Sequence, residues 1–209
     1  MALLKKIVVI GPESTGKSTL CQQLAAYYQT DWVPEYAREY LHRHGMGYKY
    51  EDLLTIARGQ LELEDARAAE LEKKLAGVGM AGPDLTGTAD EPERPGGAAG
   101  QPLLFIDTDM YVMKVWSEFV FGNCDPWILN QILNRRYDGY LLCRTDLPWE
   151  NEELREYPDP ATREKLFHIY RDSMINQHTP WTEIGGEAEQ RLNAAIKAVN
   201  KLIRVTQTP

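Results

Sequence analysis

Residues 11–18 read GPESTGKS, and the spacing G-x-x-x-x-G-K-[ST] is one that can cradle a phosphate chain. Gly11 and Gly16 omit the Cβ atoms that would keep an anion away from consecutive backbone N–H groups, with Pro12, Glu13, Ser14 and Thr15 filling the turn between them. Lys17 supplies a point charge for β- and γ-phosphate oxygens, and Ser18 offers a hydroxyl that can ligate Mg²⁺. Thr19 begins a helix whose N-terminal amides add positive dipole.

Three further stretches carry residue types able to complete a reaction. LLFIDTD, residues 103–109, is an apolar run ending in carboxylates. If strand geometry persists through it, Asp107 and Asp109 share one side at the carboxyl end of a sheet, where ligands of open α/β folds collect. One would orient Mg²⁺ through its water shell and the other would meet a substrate hydroxyl. The alternative for Asp109 is the cap of a helix starting near Met110. In WVPEYAREY, residues 32–40, Glu35, Arg38 and Glu39 stand at i, i+3 and i+4 and so share a helix face. Glu35 could hold an acceptor hydroxyl and Arg38 a transferred phosphate, the alternative being a solvated surface with local ion pairs. DLPWENEELREYPD, residues 146–159, has the prolines, acids and single arginine, Arg155, of either a closing lid that brings a cation to developing charge or a plain polar loop.

The elements needed to position these residues are legible in the apolar pattern. Short β-branched or aliphatic runs at 7–10, 103–106 and 140–143 read as strands buried on both faces, with weaker candidates at 30–33 and 181–184. Segments near 17–28, 35–44, 50–75, 109–120, 126–136, 160–177 and 186–203 have helical spacing. Such alternation predicts an α/β class fold, a parallel sheet covered by helices in a three-layer arrangement, as one domain over residues 1–209. Residues 77–102 interrupt it: they hold seven of the 16 glycines and four of the 12 prolines, and they are expected to form a mobile insertion.

Composition narrows the partner. A chain of 209 residues with 43% apolar content can bury one substantial core, and a net charge of −8 disfavours nucleic acid as the main partner, leaving a small molecule. Cys21, Cys124 and Cys143 are too few and too far apart for a disulfide framework or a CxxC metal site. The apolar run near the N-terminus is too short for a signal sequence or a membrane span, so a cytoplasmic protein is expected. A guanine-reading N-K-x-D is missing, since Asn200 and Lys201 are followed by Leu202 and Ile203.

GPESTGKST, WVPEYAREYL, ARGQ at 57–60, FIDTD, PWIL at 126–129, YLLC and DLPW followed by an arginine together resemble the ribosylnicotinamide kinase domain of bacterial NAD-salvage proteins, in order from about residue 5 to 185. The resemblance implies a nucleoside-kinase-like P-loop fold with a lid, and ATP- and Mg²⁺-dependent phosphorylation of the 5′-hydroxyl of nicotinamide riboside. On matching positions it implies nucleotide and metal contacts at residues 11–19 and Asp107, acceptor contacts from Glu35, Arg38 and Asp109, and a lid arginine at Arg155. Two departures stand out. The family's Asp-Asp-Gly-Leu-Arg-like lid is here Asn151-Glu152-Glu153-Leu154-Arg155, and the aromatic that precedes the family's Glu-Tyr pair is here Pro34. Stacking on the nicotinamide ring is then expected from Tyr36, Trp32 or Trp149. The general base is one of Asp107, Asp109 and Glu35. Alternatives are a kinase for another nucleoside or small metabolite, and an ATP-binding sensing module without acceptor-dependent turnover.

Overall fold

A computed structural model describes residues 3–78, 101–150 and 154–205. The element order is β1 (Lys5–Ile10), α1 (Lys17–Tyr28), β2 (Trp32–Val33), α2 (Tyr36–His44), α3 (Tyr50–Val78), β3 (Leu103–Asp107), α4 (Met110–Phe121), α5 (Pro126–Asn134), β4 (Gly139–Cys143), α6 (Pro160–Ile175), β5 (Trp181–Ile184) and α7 (Ala188–Val205). The expected insertion falls mainly on residues 79–100, outside the described residues, as do residues 151–153 of the expected lid.

The five strands form one parallel sheet in the order β2-β3-β1-β4-β5. Strand β1 is central, and the chain departs from it to β3 on one side and β4 on the other. The crevice at the carboxyl end of β1 is therefore the place where such a fold collects ligands.

Period-2 alternation divides the strands between two layers. Ile7, Val9, Phe105, Leu141 and Cys143 pack with Leu20 and Leu24 of α1 and Val199 and Ile203 of α7. Val8, Ile10, Leu104, Ile106 and Leu142 face the other way, onto Leu71 of α3, Val115 of α4 and Phe167 and Met174 of α6. Burial on both faces accounts for strands that read as unbroken apolar runs. A third cluster, including Leu53, Ile56, Met110, Met113 and Ile128, ties α3, α4 and α5 together.

Helix starts are set by short polar side chains. Asp125 and Asp159 each cap a helix that has proline in its first turn, α5 and α6. Glu64 of α3 is fully buried yet receives Lys6 Nζ at 2.9 Å, Arg135 at 3.1 Å and the Tyr137 hydroxyl at 2.8 Å, which pins α3 to β1 and to the segment between α5 and β4. No described helix is long and apolar enough to cross a membrane.

Candidate active site

The turn from β1 to α1 adopts the backbone its sequence demands. Gly11 has φ 141°, and a Cβ there would lie 2.7 Å from the Cys143 carbonyl oxygen, so only glycine fits against β4. Gly16, at φ 75°, is the left-handed residue from which α1 starts, and Ser14 adopts φ 55°. Within the turn, Thr15 Oγ1 donates to the Pro12 carbonyl at 2.8 Å and Lys17 Nζ donates to the same oxygen at 2.9 Å, which folds the lysine over the loop.

The loop opens into a cleft of about 650 Å³. Its wall brings together residues 11–19 with Glu35, Arg38, Asp107 and Arg155. Asp107 ends β3 in register with Val9 and is fully buried. Its Oδ2 accepts from Ser18 Oγ at 2.5 Å, while its Oδ1 has no hydrogen-bond partner among the described residues. Burial, reinforced by the negative Glu35, raises its pKa to about 6 against the opposing pull of Lys17, Ser18 and Arg38. Glu35 precedes α2 and makes no cap bond with its side chain, which leaves the carboxylate to accept from Thr108 Oγ1 at 3.3 Å and to meet Arg38 Nε at 3.7 Å.

Asp109 is not brought to this cleft, which corrects the expectation that it shares a side with Asp107. Thr108 takes φ 78°, so strand alternation stops one residue after Asp107 and the next carboxylate turns into the opposite layer. There Asp109 caps α4, accepting from Tyr111 N at 2.9 Å and Val112 N at 3.3 Å, and its Oδ2 accepts from the Tyr140 hydroxyl at 2.9 Å. Burial pushes its pKa to about 7 in spite of those three donors.

Tyr36 and Trp149 also lie outside the cleft wall. The Tyr36 ring rests on α3, where a Cβ at Gly59 would approach it to 2.2 Å. The ring of Trp149 has the guanidinium carbons of Arg155 and Arg163 at 5.9 and 5.7 Å. Trp32 does contribute to the wall.

The described part of the expected lid is bound to the phosphate loop itself. Ser14 Oγ accepts from Glu150 N and from Arg155, each at 3.0 Å, and Glu13 Oε2 accepts from Glu156 N at 2.9 Å and Tyr157 N at 3.3 Å. Burial raises the pKa of Glu13, and those two amides work against the shift. Arg163, in the first turn of α6, donates to the Ser14 and Leu147 carbonyls at 3.1 and 3.2 Å. No local sequence signal marks Arg163, or Glu13 and Ser14, as lid partners. Val112, Val115, Trp116 and Phe119 of α4 all line the cleft, and their i, i+3, i+4, i+7 spacing is the signal that marks them as one face.

The donor set suits a hard divalent cation. A hydroxyl and a carboxylate with one uncommitted oxygen meet at the loop, in keeping with a Mg²⁺ ion that takes few protein ligands and fills its shell with phosphate and water. Among the described residues no group of three or more His, Cys, Asp or Glu could hold a metal by itself.

The profile of a family described as an AAA domain matches residues 6–76 and 88–191. The chain is similar to the trifunctional NAD biosynthesis/regulator protein NadR of Salmonella typhimurium, 26% identical over 179 residues, which cover 84% of this chain and 36% of that protein. It thus spans little more than a third of this curated relative. Two solved structures share the fold. A NadR protein in complex with NR superposes with a TM-score of 0.67 at 21% identity, covering 95% of this chain and 49% of the other. A NadR protein in complex with NAD and AMP-PNP gives 0.66 at 22% identity, covering 98% and 51%.

Proposed function

The chain belongs to the AAA-domain family, and from that premise we propose that it transfers the γ-phosphoryl group of ATP to the 5′-hydroxyl of nicotinamide riboside, giving nicotinamide mononucleotide. The observation that carries this reading is a single continuous cleft joining the phosphate loop to a carboxylate on a different element, Glu35, with Asp107 and Ser18 between them. A nucleotide-binding module without an acceptor has no need of the second half. The NadR relatives, one of them in complex with NR and another with AMP-PNP, support the choice of donor and acceptor.

Each residue has a separable task in this scheme. Backbone amides of residues 11–19 and the Lys17 ammonium bind the β- and γ-phosphates. Ser18 and Asp107 would hold Mg²⁺, which when bound would neutralise charge on the phosphate oxygens. Glu35 accepts the proton of the 5′-hydroxyl while the acceptor oxygen forms its bond to γ-phosphorus and the bond to the β-phosphate oxygen breaks, releasing ADP. Of the three carboxylates, Glu35 is assigned as base because Asp109 is turned away and Asp107 is assigned with Ser18 to the metal. Arg38 and Arg155 line the same cleft and are assigned to the charge of the transferred group.

The test is ADP release from Mg-ATP across nicotinamide riboside, uridine, cytidine and adenosine. Lys17→Ala should lower turnover with every acceptor by about 10²-fold or more, the scale seen when one transition-state charge donor is removed. Glu35→Ala should abolish acceptor-dependent turnover while leaving AMP-PNP binding intact. ADP release that ignores the acceptor would overturn the kinase reading in favour of a nucleotide-binding module.

A further inference from the structure

The aromatic that the family places before its Glu-Tyr pair is Pro34 here, and neither Tyr36 nor Trp149 reaches the cleft. Of the three aromatics expected to meet the acceptor's ring, Trp32 is the one that lines the cleft. Helix α4 presents four apolar side chains to the cleft, and Trp116 differs from the other three in being held from behind. Its Nε1 donates to the Tyr48 hydroxyl at 3.0 Å, and the Tyr48 ring stands edge-on to it at 5.0 Å and 70°. The Tyr48 hydroxyl in turn donates to Glu156 Oε2 at 2.8 Å. Tyr48 itself is not part of the cleft wall, so this geometry fixes the orientation of the indole without occupying the space in front of it. A half-buried indole whose polar edge is satisfied keeps its faces for packing.

Of the other aromatics of the wall, Phe119 and Tyr157 stand edge-on to each other at 5.3 Å, and Lys165 Nζ lies 5.5 Å from the Phe119 centroid. Tyr170 is 5% exposed within the α6 layer; Trp32 packs with the α1–α7 layer as Trp116 does with the α3–α5 cluster, so what distinguishes Trp116 is the bond from its Nε1 to Tyr48. Glu156, one hydrogen bond removed through Tyr48, lines the cleft, as do Glu13 and Glu35. Lys17, Arg38, Arg155 and Arg191 share the wall with them, so the preference for a flat ring that carries positive charge rests on the electron-rich indole face itself.

We propose that Trp116 is the platform on which the acceptor's ring stacks, that this ring is a flat cationic heterocycle, and that Tyr48 is the positioning residue that holds Trp116 in place. The proposal deepens the kinase reading and rests on it for the identity of the acceptor. It also gives the lid a part in acceptor binding, because Glu156 joins Tyr48 through its side chain and Glu13 of the phosphate loop through its backbone amide. The acceptor wall, lid and donor loop are therefore one hydrogen-bonded unit.

The test has two arms on the full chain. In the first, tryptophan fluorescence is titrated with nicotinamide riboside and with its reduced form, which has nearly the same shape and no ring charge. Quenching by the oxidised ring is expected, at least several-fold weaker binding of the reduced ring, and loss of most of the quenching in Trp116→Phe. In the second arm, Trp116→Leu should raise the KM for nicotinamide riboside about ten-fold or more, the scale of one base–aromatic stack, and Trp116→Phe should restore part of it. Tyr48→Phe should raise the same KM several-fold, with a much smaller change in the KM for ATP. If Trp116→Leu fails to fold, Trp116→Phe, Tyr48→Phe and the wild-type titration carry the test. Unchanged acceptor KM in Trp116→Leu and Tyr48→Phe, or quenching retained in Trp116→Phe, overturns the platform even when nicotinamide riboside is a good substrate. Equal binding of oxidised and reduced rings overturns the charge preference. If no acceptor is phosphorylated the kinase reading fails, and the fluorescence arm still decides whether Trp116 meets the ring.

Discussion

Replacing Asp109 by Asn should make this protein less sensitive to pH, and the size of the effect follows from where the carboxyl sits. The wild-type side chain is 1% exposed, and burial raises its pKa from the ordinary 3.8 to about 7. A carboxyl with a raised folded pKa keeps a proton that the unfolded chain releases. Folding stability from this group is therefore full below about pH 4, is lost as pH rises through about 7, and stays lost above it. At 1.36 kcal/mol per unit, the whole shift corresponds to about 4 kcal/mol, of which about 2.5 kcal/mol falls between pH 5 and pH 8. An asparagine Oδ1 can still accept from Tyr111 N and Val112 N, its amide can donate to the Tyr140 oxygen, and it has no charge to desolvate. Urea unfolding of both proteins at pH 5 and pH 8, followed by far-ultraviolet circular dichroism, gives a double difference in which any intrinsic cost of the amide cancels. Asp109→Asn should gain about 2.5 kcal/mol relative to wild type on going from pH 5 to pH 8. A difference that is the same at both values would mean that the carboxyl is ionised throughout, and would refute the argument from burial.

Two further outcomes follow from the loop. Gly11→Ala puts a Cβ 2.7 Å from the Cys143 carbonyl oxygen at φ 141°, so it should cost about 1–3 kcal/mol in thermal unfolding and weaken AMP-PNP binding measured by calorimetry. Ser14→Ala removes the acceptor for Glu150 N and Arg155 and should loosen the lid by about 1 kcal/mol, seen as faster limited proteolysis within residues 147–157 and a several-fold higher KM for ATP, with little change in melting temperature.

The phosphate loop, the five strands and the seven described helices were legible because each rests on local information. A loop that needs glycine at fixed places, the aliphatic runs of β1, β3 and β4 buried on both faces, and helices with a 3.6-residue stripe declare themselves within about ten residues of sequence, while the short or half-exposed β2 and β5 give a weaker signal. The pairing of Ser18 with Asp107 was legible at one remove, since a parallel sheet brings the ends of β1 and β3 together. What only tertiary structure decided was where side chains point once regular geometry stops or distant elements meet. One positive φ at Thr108 separates two aspartates that strand alternation would have placed together. Trp116 and Tyr48 lie 68 residues apart, and the loop's Ser14 meets Arg155 across 141. Local patterning records the backbone preferences and apolar faces of near neighbours, while contacts at such separations depend on how whole helices pack on the sheet, which no short window of sequence contains.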